Sequence, residues 1–398
     1  MSIHLFNDCL SILRRWAWIA LLGVAANLAQ AQVQGVTDSE ILLGFIPDLS
    51  GSLASIGGPL RDGVVFATEE INAAGGIHGR KVRLVTEDSG YDTKKAILIT
   101  QRMLSQEKVF ALFDTFGSAI VQATRPLALD RGVPFLFPAA PTDKTYLPYH
   151  QLSFGLFAVS DDHMRVTIDY AYSKLGKRRF GFLYQDDETG QTGLRVAEEQ
   201  LKVHGLSLVE RASFKRGDTN LEAQISRLKA ANVDVVVLAS VLVQSAAAVI
   251  EARAQAWPVD MILATGTVDT IIKLGGKAAE GLYGATQYLH TAQPLTPAYK
   301  ALNERYKART GHEIQDYMDY GYTSMMLFAE GAKNAGRNLT PQTLSLGLEQ
   351  VKNFKAVFEG PLISFGPGNH APPKEAYIMQ VRGGKWVVAA GPLGARNK

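Results

Sequence analysis

Residues 109–130 read VFALFDTFGSAIVQATRPLALD. Val109 to Phe113 is a short apolar run of the kind that fills a buried strand. Asp114-Thr115-Phe116-Gly117-Ser118 interrupts it, and Ser118 to Asp130 reads as a helix. In open α/β sheets ligands bind beyond the carboxyl ends of strands, where such loops meet helix N-termini. Glycine lets the backbone approach a ligand closely, and Ser118 offers a hydroxyl beside free helix N–H groups that favour an anion such as a carboxylate. The same serine reads equally well as a plain N-cap, and the two roles are compatible.

Outward from this unit, short β-branched or aromatic runs alternate with longer amphipathic segments, the signature of βα units around parallel sheets. Strands are expected at Ile41 to Ile46, Lys81 to Glu87, Val109 to Phe113 and Pro134 to Phe137. A second series covers Arg179 to Tyr184, Ser207 to Phe214, Val233 to Ala239, Asp260 to Ala264 and Gly281 to Gln287. Gly57 to Asn72 is expected as a helix, with Val64, Val65, Ala67, Thr68 and Ile71 on one face, and Gly75-Gly76 supplies its stop. Pro297 to Val351 reads as three helices. Ile363 to Phe365, Ala376 to Arg382 and Lys385 to Val388 return to strand character, so the tail is expected to complete an earlier sheet. The expected fold class is α/β: two doubly wound parallel-sheet lobes, joined by crossings near Phe154 to Leu156, Thr286 to His290 and Asn353 to Phe358.

The N-terminus reads as an export signal. Arg14 and Arg15 precede an apolar run from Trp16 to Ala26, and Ala29-Gln30-Ala31 is a small-x-small cleavage site. That run is short against the roughly 20 residues a membrane span needs. The one cysteine, Cys9, lies upstream of it, so no disulfide or lipid-bearing thiol is expected after cleavage near Ala31. A formal charge of +3 without any Lys/Arg block argues against nucleic acid as a partner.

Catalytic motifs fail in turn. Gly275-Gly276-Lys277 lacks the first glycine and the hydroxyl of a phosphate loop, with Ile271 and Ala278 in those places. A G-x-G-x-x-A string at Gly366 to Ala371 runs into Pro372-Pro373, where no helix can open, and reads as a turn. There is no G-x-S-x-G elbow, and the eight histidines form no metal-binding pair. Asp186-Asp187-Glu188 reads as a solvated strand-end loop before it reads as a cation site. No cofactor, metal or catalytic residue is expected.

Six stretches, in order, resemble the leucine/isoleucine/valine-binding proteins of ABC transporters. They are GFIPDLSGSLASIG (44–57), EEINAAGGIHG (69–79), Glu87 to Asp92, Ser118 with GVPFLFPAAP (132–141), and the helix pair Tyr306 to Gly321 and Tyr322 to Gly336. The resemblance implies the type I periplasmic binding protein fold: lobe 1 at 32–155 plus 290–354, lobe 2 at 156–289 plus 355–398, three crossings and a ligand in the cleft. It also implies that Ser118 holds a ligand carboxylate, that Ala139 and Ala140 line the same site, and that Thr142 stands in for a hydroxyl lost at Pro141. Phe116 lies in the same loop. Ile56, Thr189 and Val241 occupy positions where the family often carries aromatic residues, and Gly266 stands at or near the acid that pairs with a ligand ammonium. A buried ammonium left unpaired costs several kcal/mol, so Asp269 or the 186–188 loop would have to replace that acid.

The function expected from this is delivery of a small carboxylate ligand, an amino acid or an aromatic or other organic acid, to ABC permease subunits from the periplasm. The alternatives are a sensing domain for amides or small acids and, less favoured, an exported α/β enzyme.

Overall fold

The computed structural model describes residues 33–215, 217–289 and 295–396. The signal sequence expected at 1–31 and the His290 end of the second crossing lie outside them.

The first sheet has five strands, β1 (Glu40–Phe45), β2 (Lys81–Thr86), β3 (Ala111–Phe113), β4 (Phe135–Leu136) and β5 (Ser153–Phe154). They lie in the order β2-β1-β3-β4-β5, every pair parallel. Helices α1 (Ala54–Ala73), α2 (Thr93–Arg102) and α3 (Ser118–Leu129) connect the first four strands. Successive side chains of a strand point to opposite faces. Accordingly Ala111 and Phe113 enter the core beneath α1, while Leu112 enters the one beneath α2 and α3.

After β5 the chain crosses to α4 (Ser160–Ser173) and builds the second sheet. Its elements are β6 (Phe180–Gln185), α5 (Glu188–Val203), β7 (Glu210–Phe214), α6 (Glu222–Ala230), β8 (Val235–Ala239), α7 (Leu242–Ala254), β9 (Asp260–Gly266), α8 (Asp269–Gly275) and β10 (Tyr283–Thr286). The same alternation sends Val236 and Leu238 to one core and Val235 and Val237 to the other. The chain then returns to the first lobe as α9 (Pro297–Thr310), α10 (Met318–Asn334) and α11 (Pro341–Glu349). It ends in β11 (Ala376–Arg382) and β12 (Lys385–Leu393) on the second sheet, ordered β12-β11-β10-β9-β8-β6-β7. β11 pairs antiparallel to both β10 and β12, so this sheet is parallel except at its C-terminal edge.

Three details differ from the sequence expectation. Ile363 to Phe365 is not a sheet strand; Ile363 only bridges Phe354. Ala356, Phe358, Ile363 and Phe365 belong to the first lobe's core, so the third crossing lies after Phe365 rather than near Asn353 to Phe358. On α1 the buried face includes Leu60, Gly63, Val64, Phe66, Ala67, Thr68 and Ile71, with Val65 off to its side.

α1 and α10 meet backbone to backbone. A Cβ on Gly63 would sit 2.2 Å from the Met318 carbonyl oxygen, and one on Gly321 would sit 2.2 Å from that of Leu60. Glycine at both positions is what permits this approach. The crossings are also joined: the Gln287 side chain donates to Leu156 O (3.0 Å) and accepts from Ala158 N–H (2.9 Å). Gly155 N–H donates to His370 O (2.9 Å), bringing the third crossing beside the first.

In the first turn of α4, His163 is buried and its Nε2 has no partner among the described residues. Burial pushes the imidazole down to about 4, so the folded chain carries it neutral. Its contribution to stability is therefore complete above the ordinary histidine value near ~6.5 and is lost as pH falls from there through about 4. Thermal unfolding of the wild type is expected to lose on the order of 2 kcal/mol between pH 7 and 4.5 through this group. His163→Leu should flatten that part of the pH profile; an unchanged slope would count against the assignment.

Candidate functional site

Crossing segments leave β5 and β10 at their carboxyl ends, so the carboxyl edges of the two sheets face the junction between lobes. Two surface hollows lie at the opposite, amino edges. One of about 520 Å³ is lined by Ile272, Lys277, Glu280 and Gly383. The other, of about 320 Å³, is lined by Gln34, Phe110, Arg131 and Gln342. Neither touches the loops singled out in the sequence.

On the first lobe, two carboxylates shape the β1–α1 loop. Asp48 accepts the Gly51 and Leu53 N–H groups (2.6 and 2.9 Å). Asp88 accepts Leu49 N–H (2.8 Å), the Ser50 hydroxyl (2.5 Å) and Gly90 N–H (2.9 Å). Partial burial raises the Asp88 carboxyl, but those bonds and nearby Lys95 outweigh it and hold the group down to about 2. Ile56, half-buried at the start of α1, packs against the first core.

The β3–α3 loop is braced from both sides. Phe116 N–H donates to Ile46 O (3.0 Å), Gly117 N–H to Ala139 O (3.1 Å), and Ala139 N–H to Thr115 O (3.0 Å). The N-cap of α3 is Gly117, at φ 101°, and Ser118 is the first helical residue. The N-cap reading of Ser118 is thereby corrected. Its half-buried hydroxyl forms no hydrogen bond among the described residues, and the first turn closes only at Val121 N–H to Gly117 O (2.8 Å). The N–H groups of residues 118–120 thus start the helix without intrahelical acceptors. A free hydroxyl beside free helix donors is suited to an anion.

The remaining first-lobe positions serve this anchor from behind. Phe116 is buried in the first core, Ala140 in the second core of that lobe, and Ala139 is buried with amide and carbonyl both engaged in the bracing just described. Thr142 caps the turn 143–145, accepting Lys144 N–H at 3.3 Å. It therefore makes a local bond where the resemblance implied a ligand hydroxyl.

Tyr91, inside the Glu87 to Asp92 stretch but not singled out there, joins the site. Its ring lies 6.1 Å from that of Phe116, and a Cβ on Gly117 would come within 2.6 Å of its Cε2, so the phenol covers the entrance to α3. Burial, then the charge of Asp48, raises its hydroxyl above the usual tyrosine range. Its place in the β2-end loop, within the Glu87 to Asp92 stretch, is the signal of this role in the sequence.

The second-lobe edge carries both apolar and polar loop residues. Val241 precedes α7 and is 59% exposed, with Val243 exposed beside it. Gly266 ends β9, and a Cβ there would meet nothing within 4 Å. Thr189 is the second residue of α5, where only the backbone is described. Asp187 caps that helix by accepting Gly190 N–H (3.0 Å), and exposed Asp186 accepts from Gln191 (3.3 Å). Among the described residues no cluster of His, Cys, Asp or Glu is suited to a metal, and no helix is long and apolar enough to cross a membrane.

Residues 40–385 match a family described as periplasmic binding protein. A Leu/Ile/Val-binding protein homolog of Brucella melitensis is 26% identical over 393 residues, covering 92% of this chain and 94% of its own. Among solved structures, the branched-chain amino acid transporter substrate-binding protein of Streptococcus pneumoniae, in complex with isoleucine, is similar at TM-score 0.71 and 25% identity, covering 88% of this chain and 99% of that one. A fatty acid ABC transporter substrate-binding protein from Thermomonospora curvata has TM-score 0.73 and 23% identity, covering 90% and 93%. With its two α/β lobes, facing carboxyl edges and a family match over most of its length, the chain belongs to the periplasmic binding protein family.

Proposed function

We propose that this chain is an extracytoplasmic solute-binding protein that captures a small carboxylic acid with an apolar body and presents it to the permease of an ABC transporter, working in the periplasm after loss of residues 1–31. The uncommitted Ser118 hydroxyl at the open end of α3 carries the reading. Tyr91 and Ile56 on one lobe and Val241 on the other supply apolar surface for the ligand body. The isoleucine and fatty acid named for the two similar structures each bear a carboxylate on an apolar body, which supports the same chemistry here.

An amino group on the ligand is a separate matter. Gly266 offers no acid, and Asp187 is occupied as a helix cap. Asp269, exposed at the start of α8, and exposed Asp186 at the end of β6 are the acids on this edge that could pair with one. Thermal-shift screening against amino acids and aromatic and aliphatic acids tests the proposal. A ligand at a hundredfold excess over Kd stabilises by about 2.7 kcal/mol, and stabilisation by neutral amides or sugars alone would sink it.

Gly266→Glu is expected to be tolerated, because a side chain there starts in open space. It should raise affinity for leucine relative to 4-methylpentanoate, its analogue without the amine, by tenfold or more, since a new acid can pair with the ammonium. Calorimetric titration of both ligands measures the ratio; an unchanged ratio would place Gly266 away from the ligand.

A further inference from the structure

The two loops that build the anchor leave their strands through left-handed residues, Asp114 (φ 46°) after β3 and Phe137 (φ 51°) after β4. Such a conformation is unfavourable for a residue with a Cβ, least so for Asp or Asn, and persists where surrounding contacts impose it. Here α10 supplies contacts to both. Ser324 Oγ donates to Asp114 Oδ2 (2.5 Å), and four residues earlier on the same helix face Tyr320 OH donates to Phe137 O (2.5 Å). The Tyr320 ring also packs edge-on against Phe157 of the first crossing, with centroids 4.8 Å apart. Phe157 lies between Leu156 and Ala158, the two residues that Gln287 of the second crossing binds.

We propose that Asp114, Tyr320 and Ser324 are positioning residues of the ligand anchor, through which α10 fixes both anchor loops and ties them to the interlobe crossings. Asp114 is wholly buried, and its second oxygen has no partner among the described residues. Burial pushes its carboxyl well above the usual range, against the hydrogen bond from Ser324 that lowers it. A neutral acid four residues before Ser118 leaves an anionic ligand unrepelled. The proposal rests on Ser118 as the anchor, but its structural part stands without a ligand.

Hydrogen exchange of the ligand-free protein tests it. In Ser324→Ala and in Tyr320→Phe, exchange across 114–118 and 137–140, where the Gly117 and Ala139 amides bridge the loops, is expected to quicken at least tenfold. Segment 235–238 in the second lobe should be unaffected. Asp114→Asn, which keeps an acceptor for Ser324 and tolerates the left-handed backbone, should retain wild-type protection. Unchanged exchange in the anchor loops, or an equal rise in both lobes, overturns the proposal; Asp114→Asn exchanging as fast as Ser324→Ala overturns the part given to Asp114. No ligand enters the measurement, so its failure is distinct from failure of the carboxylate screen.

Discussion

Ser118→Ala is expected to weaken binding of a captured carboxylate by roughly 10- to 100-fold while leaving the ligand-free protein as stable as before. A hydrogen bond to a charged group is worth about 1.5–3 kcal/mol, and the hydroxyl forms no hydrogen bond among the described residues. Stability should hold because Gly117, not Ser118, caps the helix. Calorimetric titration with the strongest ligand from the screen, alongside thermal unfolding without ligand, separates the two effects. Equal affinity for wild type and variant would remove Ser118 from the site. A fall in ligand-free melting temperature would instead give the serine a structural role.

Gly321→Ala should open the α1–α10 contact and destabilise the first lobe strongly. Its Cβ would lie 2.2 Å from the Leu60 carbonyl oxygen and 3.0 Å from Val64 N. Those are backbone atoms, which cannot swing aside as a side-chain tip does, so α1 and α10 must separate. Overpacking costs about 1–3 kcal/mol and occasionally more, and here a loss of about 3 kcal/mol and a clear drop in melting temperature are expected. Gly63→Ala should behave alike, because its Cβ meets Met318 O at the same distance. The double variant should cost less than the two single losses combined, since one separation of the helices relieves both clashes. Strict additivity in thermal unfolding would show that the two contacts are independent.

Much of the scaffold is legible in the residue pattern alone. Every strand expected in the two main series is present, within a few residues of the expected ends. The return of the tail to an earlier sheet is present as β11 on β10. β5 leaves no such mark, because two residues carry no period and its pairing with β4 exists only in the assembled sheet. Ile363 to Phe365 misleads for the opposite reason. An apolar run is compatible with a strand or with any buried segment, and here it fills the first lobe's core.

The candidate site is less legible. Loop position and residue type point to Ser118, but whether a serine before a helix caps it or is free depends on a shift of one residue in where the helix begins. Ala139, Ala140 and Phe116 lie in the expected loops, yet which face a loop residue presents is set by its neighbours, and these three turn inward. Tyr91 lies 26 positions before Gly117 in the chain and meets it only through the parallel order β2-β1-β3.

By itself, then, the sequence determined the α/β alternation, the two-series organisation and the identity of the loop that carries Ser118, because strand period, helix period and turn chemistry are local properties. Only the tertiary structure decided that Ser118 keeps its hydroxyl free of partners among the described residues, that Tyr91 packs over Gly117 and that α10 braces the loop from below. Those facts depend on residues far apart in the chain brought to one edge by parallel sheet order and on a helix packed at glycine distance, and neither leaves a periodic trace in the sequence.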